Sequence, residues 1–489
     1  MILILKFFLL GILTSFLFPP FFLTTIGFVI FPYFIYLINK HETKQYGYIF
    51  HFLLGLFYGI GFLSIYLGWI DEPFLLDENT KKYSYISYLL IFYCSIFFGL
   101  SFCIIKYFKS FFSKWIVVPL LFVFIEILIN NISYGFPWIS FSLIHSANIF
   151  GKSLIYYFGT YGISYITIVI FLIPSIFLIN LKNYKKGFFL ILIAFIIFLS
   201  ILVVLRISNF EKYSSKKISL SMIQLNYTIN QNLDQGGLRA KYQVIDDIIK
   251  KQSEEIIIFG ENNFPYTIDN PFYIETLNNN LKPNQSFIIG ATSFKNGKYY
   301  NSLIYSNKDI HKTFDKKILV PFGEFIPFRS LFGFLEFIAG TNDFSKGENK
   351  RILKINNEIK ILPVICYEIL YFWQLLDKDN DQSNVIVNIT NDYWFGSFSG
   401  PYQHFYFNLL RASELNKPII RVSNNGISAS IDNYGRIIDY IDLNKNEIKK
   451  TEIKISKDNQ NYIQFHKYFI LIFILLFIFA IFFNKKFNE

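Results

Sequence analysis

The sequence predicts a polytopic α-helical membrane bundle of about eight transmembrane helices, joined to an α/β domain. Long apolar runs fill residues 1–206 and return at 468–489, whereas residues 207–467 alternate short apolar stretches with amphipathic ones. The chain is 53% hydrophobic and 20% aromatic, and its mean hydropathy is positive, which is too apolar for a soluble protein. Its 489 residues are enough for two or more folding units.

The apolar runs are each close to the roughly 20 residues that a bilayer-spanning helix needs. We place spans at 3–18, 20–38, 47–69, 85–105, 115–131, 155–180, 187–205 and Tyr468–Phe483. The first run begins almost at Met1 and has no small-residue cleavage site. We therefore expect it to stay as an anchor rather than be removed as a signal peptide.

The distribution of lysine among the short loops predicts the orientation of the bundle. One set of loops carries Lys40, Lys44, Lys106, Lys109, Lys114, Lys182, Lys185 and Lys186. The alternate loops carry fewer, and in the second of them four acidic residues offset Lys81 and Lys82. This bias predicts cytoplasmic termini and three parts: an N-terminal transmembrane domain (1–206), a domain on the far side of the membrane (207–467), and a C-terminal helix with a cytoplasmic tail (468–489).

The loop from Asn130 to Lys152 is aromatic and weakly charged, and it includes Trp138 and His145. It is either a re-entrant or interfacial aromatic segment, or a lip that contacts a lipid chain.

Charge and cysteine content exclude two classes of protein. The net charge is +11, but no Arg-rich run or basic stripe with interleaved aromatics supports a nucleic-acid partner. Cys94 and Cys103 lie inside an apolar run, which leaves Cys366 alone in the polar part and rules out a disulfide framework.

Residues 207–467 predict an α/β domain with a largely buried sheet. We expect strands at Ile218–Leu225, Glu255–Gly260, Ser286–Thr292, Ser302–Ser306, Ile361–Ile365, Asn384–Asn388, Pro418–Ser423 and Ile427–Asp432, with helices at Arg239–Glu254 and Tyr402–Asn416.

Three short blocks of this domain combine apolar residues with the groups that thiol acyl transfer needs. Ile256–Pro265 contains Glu261, Phe314–Pro327 contains Lys316 and Glu324, and Leu362–Glu368 contains Cys366. A thiol is mostly protonated near neutral pH and needs a base or a positive neighbour to react. A glutamate that takes the thiol proton, and a lysine that stabilises the oxyanion, supply both. Without these neighbours, Cys366 would more often be interpreted as a buried structural cysteine.

The motifs Leu319-Val-Pro-Phe-Gly-Glu324, Ile365-Cys-Tyr-Glu368, Asn388-Ile-Thr-Asn-Asp-Tyr-Trp-Phe-Gly396 and Gly400-Pro-Tyr-Gln-His404 resemble the nitrilase superfamily. Within it they resemble the apolipoprotein N-acyltransferase branch, and the resemblance covers the whole chain. It implies a nitrilase-like αββα sandwich, with Glu261 as general base, Lys316 as oxyanion partner and Cys366 as nucleophile. It also implies supporting roles for Glu324, Tyr367 and Glu368.

Several of these residues keep an alternative interpretation. Lys316 is favoured over Lys317 because it stands eight residues before the glutamate of Pro-Phe-Gly-Glu, as in the family, although neighbouring residues of a strand point to opposite faces. Glu324 and Glu368 are alternatively a structural ion-pair set. Trp394 and Phe395 form either a wall of the acyl-chain pocket or ordinary core.

Other residues have smaller roles in this interpretation. We expect His404 to be a hydrogen-bonded residue at a helix start rather than a catalyst. Gly260 stands where the family usually has proline, and Leu233 where it often has an aromatic residue.

The resemblance implies an acyltransferase of the bacterial inner membrane with its catalytic domain in the periplasm. The expected partners are a phospholipid acyl donor, phosphatidylethanolamine, and a diacylglyceryl-apolipoprotein acceptor, with no cofactor and no metal. A membrane-tethered nitrilase-type amidase or hydrolase is the alternative. A transporter or scaffold is a third, and the near absence of charged residues within the spans, apart from Lys6 and Glu126, argues against it.

Overall fold

A computed structural model describes residues 1–40, 46–76, 78–178, 185–208, 215–228, 234–269, 272–333, 336, 342–376, 382–456 and 466–486. Lys44, Lys182, Asp77 and Leu233 lie outside these residues. The chain divides into two compact units. The helical unit comprises residues 1–71, 83–212 and 463–489, and the sheet unit comprises residues 72–82 and 213–462. Residues 72–82, which the sequence places in a loop between two spans, thus belong to the sheet unit.

In the described part of residues 1–212, the helical unit has seven apolar helices. They are α1 (Ile2–Ser15), α2 (Gly27–Lys40), α3 (Tyr48–Tyr66), α4 (Ser87–Tyr107), α5 (Phe111–Asn131), α6 (Ile149–Leu172) and α7 (Lys185–Ser208). The second begins later than predicted because the chain turns at the consecutive prolines Pro19 and Pro20, which cannot donate backbone hydrogen bonds. The sixth begins earlier, where the Asn148 side chain accepts a hydrogen bond from the Gly151 N–H.

Six helices in the described part of the chain are long and apolar enough to cross a bilayer, and two shorter apolar helices lie at Ile2–Ser15 and Thr24–Lys40. Large apolar side chains such as Leu190 and Phe482 are two-thirds exposed, as expected of surfaces that contact lipid. The protein is therefore a multi-pass membrane protein.

Residues 137–144 of the aromatic loop after α5 pack into the interior of the helical unit, whereas Tyr134 is exposed. Trp138 is fully buried, and a short 3₁₀ helix follows at Phe141–His145. Glu126 of α5 is buried as well, and its carboxylate accepts hydrogen bonds from the Phe141 N–H (2.7 Å) and the Ser164 hydroxyl (3.0 Å). These contacts show that the second half of the loop is packed; a lip that contacts a lipid chain stays a prediction for its exposed first half.

The sheet unit is built from two six-stranded sheets. Their strands are β1 (Ser215–Gln224), β2 (Ile256–Phe259), β3 (Ser286–Lys295), β4 (Lys298–Ser306), β5 (His311–Asp315), β6 (Leu353–Lys354), β7 (Lys360–Ile365), β8 (Val385–Thr390), β9 (Ile419–Ser423), β10 (Ser428–Ile431), β11 (Ile437–Ile441) and β12 (Glu447–Ser456). The first sheet has the order β12-β1-β2-β3-β4-β5 and the second β11-β10-β9-β8-β7-β6. In each sheet the three central strands are parallel: β1, β2 and β3 in the first and β7, β8 and β9 in the second.

The two sheets face each other across one apolar core, which contains Leu220 and Ile258 from the first and Ile361 and Val387 from the second. Helix α8 (Gln235–Lys251) covers the outer face of the first sheet, where its residue Ile249 packs in a second core cluster. With α9 (Phe272–Asn279) beside α8 and α10 (Gly400–Glu414) contacting the second sheet, the layers follow the predicted αββα order.

The sequence did not predict β5, β6, β11 and β12. Strand β12 alternates apolar with charged residues and pairs antiparallel with β1 from Ser215↔Ser456 to Gln224↔Glu447. The last strand of the sheet unit therefore completes a sheet that begins with its first strand. After it, helix α11 (His466–Lys486) forms the final apolar helix.

Candidate active site

The three predicted catalytic residues lie just beyond the carboxyl ends of strands from both sheets. Glu261 follows β2, Lys316 follows β5 and Cys366 follows β7. All three are buried. Cys366 has a positive φ of 50°, a conformation that L-residues rarely adopt and that places it at the sharp turn from β7 into a 3₁₀ helix.

The three side chains meet in one buried cluster. The Lys316 ammonium lies 3.6 Å from Glu261 Oε1. The Glu261 carboxylate interacts with the Cys366 thiol and raises its pKa. The structure therefore brings together the base, the ammonium and the thiol that the sequence predicted at separate strand ends.

Their electrostatics favour a charged lysine and a protonated thiol in the resting site. Burial raises the pKa of Glu261, while Lys316 and the hydrogen bond from Asn301 lower it. Burial alone would lower the pKa of Lys316, but the Glu324 and Glu261 carboxylates raise it well above its usual range. Burial also raises the pKa of Cys366, and Glu261 adds to this while Lys316 opposes it. A carboxylate with a raised pKa therefore lies next to the thiol, as the predicted proton acceptor requires.

Glu324 is the closest partner of Lys316. Its Oε1 accepts hydrogen bonds from Lys316 Nζ (2.9 Å) and Asn301 Nδ2 (2.7 Å), and its Oε2 accepts one from the Val320 N–H (2.8 Å). Asn301 Nδ2 also donates to Glu261 Oε1 at 2.7 Å, and the backbone carbonyl of Asn301 accepts from the backbone N–H of Lys316 at 2.8 Å. A single amide side chain from β4 therefore links both carboxylates.

Glu368 is part of a different cluster. It is fully buried and forms a bidentate pair with Arg351, with 2.8 Å for each hydrogen bond. Its Oε1 also accepts from the Lys317 N–H (2.8 Å), and its Oε2 accepts from the Ile365 N–H (2.9 Å). Burial would raise the pKa of Glu368, but Arg351 lowers it below its ordinary value. Glu368, itself paired with Arg351, thus connects the chain segments that carry Lys316 and Cys366 through hydrogen bonds to their backbone N–H groups.

His404 is buried on another side of Cys366. Its Nε2 lies 3.3 Å from the Cys366 carbonyl oxygen and its Nδ1 lies 2.8 Å from Asp392 Oδ1. Asp392 pairs in turn with Arg421 of β9, and Thr390 donates to Asp392 at 2.9 Å. His404 lies in the first turns of α10, so the predicted helix-start position is close to the observed one.

The remaining predicted residues flank this cluster. Tyr367 is buried, and its ring packs edge-on against Tyr371 with centroids 5.3 Å apart. Phe395 packs its ring edge-on against His404, also at 5.3 Å, and contacts the core between the sheets. Trp394 is half-buried. A packing role for Phe395 is therefore present in the structure, and a pocket role for Trp394 stays a prediction.

Two glycines permit the close approach of backbone near Glu261. A Cβ at Gly290 would lie 2.5 Å from the Glu261 Cα. At Gly260, a Cβ would lie 2.7 Å from the Asn424 nitrogen, and the Gly260 N–H donates to Asn263 Oδ1 at 2.8 Å. Proline has no backbone N–H and cannot make that hydrogen bond. This chain therefore stabilises the turn through the Gly260 N–H, which a proline at this position could not do.

Sequence reasoning missed Asn301, Arg351, Asp392 and Arg421. Asp392 lies inside a recognised motif, but no spacing rule ties the other three to Glu261, Glu368 or Asp392. No group of His, Cys, Asp and Glu residues in the described ranges has the arrangement of a metal site. What the described side chains form is a buried base, thiol and ammonium, which is the equipment for nucleophilic attack on an acyl carbonyl.

Comparison with known proteins gives two family matches. A model described as "Apolipoprotein N-acyltransferase N-terminal domain" matches residues 10–173, and one described as "Carbon-nitrogen hydrolase" matches residues 221–457. The second match, with the two facing sheets, confirms the predicted nitrilase-like sandwich.

Proteins named apolipoprotein N-acyltransferase are similar along almost their whole length. The one from Rickettsia typhi is 31% identical over 465 residues, covering 90% of this chain and 89% of the relative. The one from Rickettsia prowazekii is 30% identical over 89% of both chains, and the one from Wigglesworthia glossinidia brevipalpis is 31% identical over 88% and 89%.

Solved structures match the sheet unit. A carbon–nitrogen hydrolase superfamily protein from Xanthomonas campestris is 16% identical with a TM-score of 0.38, covering 49% of this chain and 91% of that one. A carbon–nitrogen hydrolase from Helicobacter pylori is 14% identical with a TM-score of 0.36, covering 50% and 91%.

Proposed function

Because this chain belongs to the apolipoprotein N-acyltransferase family, we propose that it transfers an acyl chain from a membrane phospholipid to the N-terminal amine of a lipoprotein, through a thioester on Cys366. The family assignment confirms the expectation from the sequence motifs, and it favours the acyltransferase over the membrane-tethered hydrolase. The observation that supports the chemistry most directly is the buried cluster of Glu261, Lys316 and Cys366.

The first half-reaction forms the thioester. Glu261 takes the proton of the Cys366 thiol as the sulfur attacks the ester carbonyl of the phospholipid. The carbonyl oxygen becomes an oxyanion, which Lys316 Nζ and the Tyr367 N–H stabilise. When the tetrahedral intermediate collapses, the C–O bond breaks and Glu261 gives its proton to the departing alkoxide. The products are the acyl-enzyme and a lysophospholipid.

The second half-reaction uses the same groups, but here Cys366 is the leaving group rather than the nucleophile. The free α-amine of an S-diacylglyceryl-cysteine attacks the thioester carbonyl, and Glu261 accepts a proton from the nitrogen. Lys316 and the Tyr367 N–H again stabilise the oxyanion. The C–S bond then breaks, the amide is released and the Cys366 thiolate recovers a proton from Glu261. Two separate steps through one covalent intermediate give ping-pong kinetics.

Glu324 and Glu368 have supporting roles in this scheme. Glu324 fixes the Lys316 ammonium through a hydrogen bond of 2.9 Å and shares the Asn301 side chain with Glu261. Glu368, paired with Arg351, connects the segments of Lys316 and Cys366. Trp394 contributes to the wall of the acyl pocket.

The orientation follows from the lysine distribution of the loops. Both termini lie in the cytoplasm, the sheet unit faces the periplasm and the helices span the bacterial inner membrane. Phosphatidylethanolamine is the acyl donor and a diacylglyceryl-apolipoprotein the acceptor.

Mass spectrometry of the purified protein tests the proposal. Incubation with phosphatidylethanolamine alone should add one acyl chain to Cys366 and release one equivalent of lysophospholipid. Addition of a diacylglyceryl-lipopeptide should then remove that chain as an N-acyl amide. The matched control is Cys366→Ala, which should take up no acyl chain.

Two outcomes contradict the proposal. Acylation of the Cys366→Ala protein would show that another residue is the nucleophile. Continuous release of free fatty acid without lipopeptide would show that water accepts the acyl chain, as in the hydrolase alternative.

A further inference from the structure

The carbonyl oxygen of Cys366 contacts a buried network of ionisable side chains. His404 Nε2 lies 3.3 Å from this oxygen, and His404 Nδ1 lies 2.8 Å from Asp392 Oδ1. The second oxygen of Asp392 pairs with Arg421, whose Nε donates to the Ile427 carbonyl at 2.9 Å. His404, Asp392 and Arg421 are all fully buried. The network therefore connects the nucleophile's backbone to α10 and β9.

The two neighbours of the imidazole determine which of its atoms donate. A carbonyl oxygen only accepts, so Nε2 must carry a proton for its contact with Cys366 to be a hydrogen bond. Burial would raise the pKa of Asp392, but Arg421 and His404 lower it to about 2, so Nδ1 faces a carboxylate. Burial and Arg421 hold the pKa of His404 below its ordinary value, and Asp392 and the Cys366 carbonyl only partly oppose them. A neutral ring carries one proton, and the contact with Cys366 is the hydrogen bond of the tautomer that carries this proton on Nε2.

The contact with His404 also fixes the next amide. The carbonyl of Cys366 and the N–H of Tyr367 belong to one planar peptide group and point in opposite directions. A donor that holds the oxygen therefore sets the direction of the N–H. Cys366 needs such support because its φ of 50° is a strained conformation, which persists only where surrounding contacts enforce it.

We propose that His404 is a positioning residue for the oxyanion hole: it anchors the Cys366 carbonyl and thereby directs the Tyr367 N–H at the acyl oxygen. This inference rests on the proposed function, because the Tyr367 N–H matters only if an oxyanion forms on an acyl group bound to Cys366. A hydrogen bond to the carbonyl also polarises the amide and strengthens its N–H as a donor.

Three variants separate this role from a packing role. In His404→Gln the side-chain nitrogen reaches the place of Nε2 and keeps a donor for the Cys366 carbonyl. In His404→Asn the nitrogen takes the place of Nδ1 and keeps only the contact with Asp392. His404→Leu removes both. The glutamine and asparagine variants are thus a matched pair that differs in one hydrogen bond.

Each full-length variant is measured in two ways. The first is the rate of Cys366 acylation by phosphatidylethanolamine, a step that forms an oxyanion. The second is the rate of Cys366 alkylation by iodoacetamide, which needs the thiolate but forms no oxyanion. A change that disturbs the thiol, Glu261 or the fold slows both reactions, whereas a misdirected Tyr367 N–H slows acylation alone.

We expect His404→Gln to keep most of the acylation rate. His404→Asn and His404→Leu should lose about 10- to 100-fold, somewhat less than the loss on removing an oxyanion donor outright. All three should be alkylated at the wild-type rate.

Equal acylation by the asparagine and glutamine variants would overturn the inference, since the anchoring hydrogen bond would then be irrelevant. A parallel loss of alkylation would also overturn it, by assigning His404 to the thiol or the fold. Either result, with normal wild-type acylation, leaves the proposed function intact. Absence of acylation in the wild-type protein would contradict both.

Discussion

The Lys316 ammonium lies closer to Glu324 than to Glu261, at 2.9 Å against 3.6 Å. Glu324 thus holds the lysine while Glu261 keeps its contact with the thiol. Because the two carboxylates share one ammonium and one Asn301 amide, the position of each depends on the other. This coupling makes the site sensitive to changes that leave the three proposed catalytic residues in place.

We expect Lys316→Ala to lower acyl transfer by about 10²–10³-fold, because it removes a donor to the oxyanion. The matched control is Lys317→Ala, which removes a half-exposed side chain and keeps the backbone N–H that bonds to Glu368. It should stay near wild type. The rate of acyl-enzyme formation is measured for both variants. A folded Lys316→Ala protein with normal turnover would show that the wrong lysine is assigned.

Asn301→Ala should shift the pH dependence of acyl-enzyme formation. Burial raises the pKa of Glu261, and the hydrogen bond from Asn301 lowers it. Without that bond the pKa rises further. Since the base works only when ionised, the rate should begin to fall at a higher pH on acidification than in the wild type. A pH–rate profile with the acidic limb unmoved, at whatever maximal rate, would contradict this role.

The pair between Arg351 and Glu368 should contribute to stability in a pH-dependent way. Arg351→Met leaves a buried carboxylate without its partner, which typically costs about 3–5 kcal/mol, whereas Arg351→Met with Glu368→Gln should cost less. Arg351 lowers the pKa of Glu368 against the opposing effect of burial. The stabilisation is therefore fully present above the unfolded-state pKa of about 4.3 and is lost as the pH falls through the lower folded-state value.

Thermal unfolding in detergent at several pH values measures this effect. The difference in midpoint between the wild type and Glu368→Gln should shrink on acidification. A difference that is constant with pH would show that the two residues contribute only by packing.

The predicted orientation is open to labelling in intact cells. In a variant without the native thiols, a cysteine at Lys298, the exposed first residue of β4, should react with a membrane-impermeant maleimide from the periplasm. A cysteine at Lys186 should react only after the cells are opened, because the lysine-rich loops face the cytoplasm. Labelling of both positions from the same side would overturn the topology.

Sequence reasoning located what depends on local pattern. Long apolar runs predicted the helices, and apolar stretches before Glu261 and Cys366 predicted two of the strand ends that meet in the site. Lys316 was also placed at a strand end, although β5 itself was not among the predicted strands. It missed residues whose partners are distant in the chain. Arg351 lies in a polar stretch with no periodicity, and its pairing with Glu368 exists only because both segments fold against β7.

The edge strands were missed for a related physical reason. A strand that faces water on one side can carry many charges, as β12 does with its lysines and glutamates. Such a sequence lacks the apolar run by which the central strands were recognised. The start of α2 was likewise placed too early, because Pro19 and Pro20 end the regular structure inside an apolar run.

The pairing of β1 with β12 has a consequence for synthesis on the ribosome. The first strand of the sheet unit remains an open edge until Ser456 has been translated, because its antiparallel partner is the last strand. An unpaired strand edge is a site for association with other chains. The nascent enzyme is therefore prone to aggregate while nearly the whole sheet unit is being synthesised. This risk ends only when β12 pairs with β1, a contact between segments that are far apart in the chain.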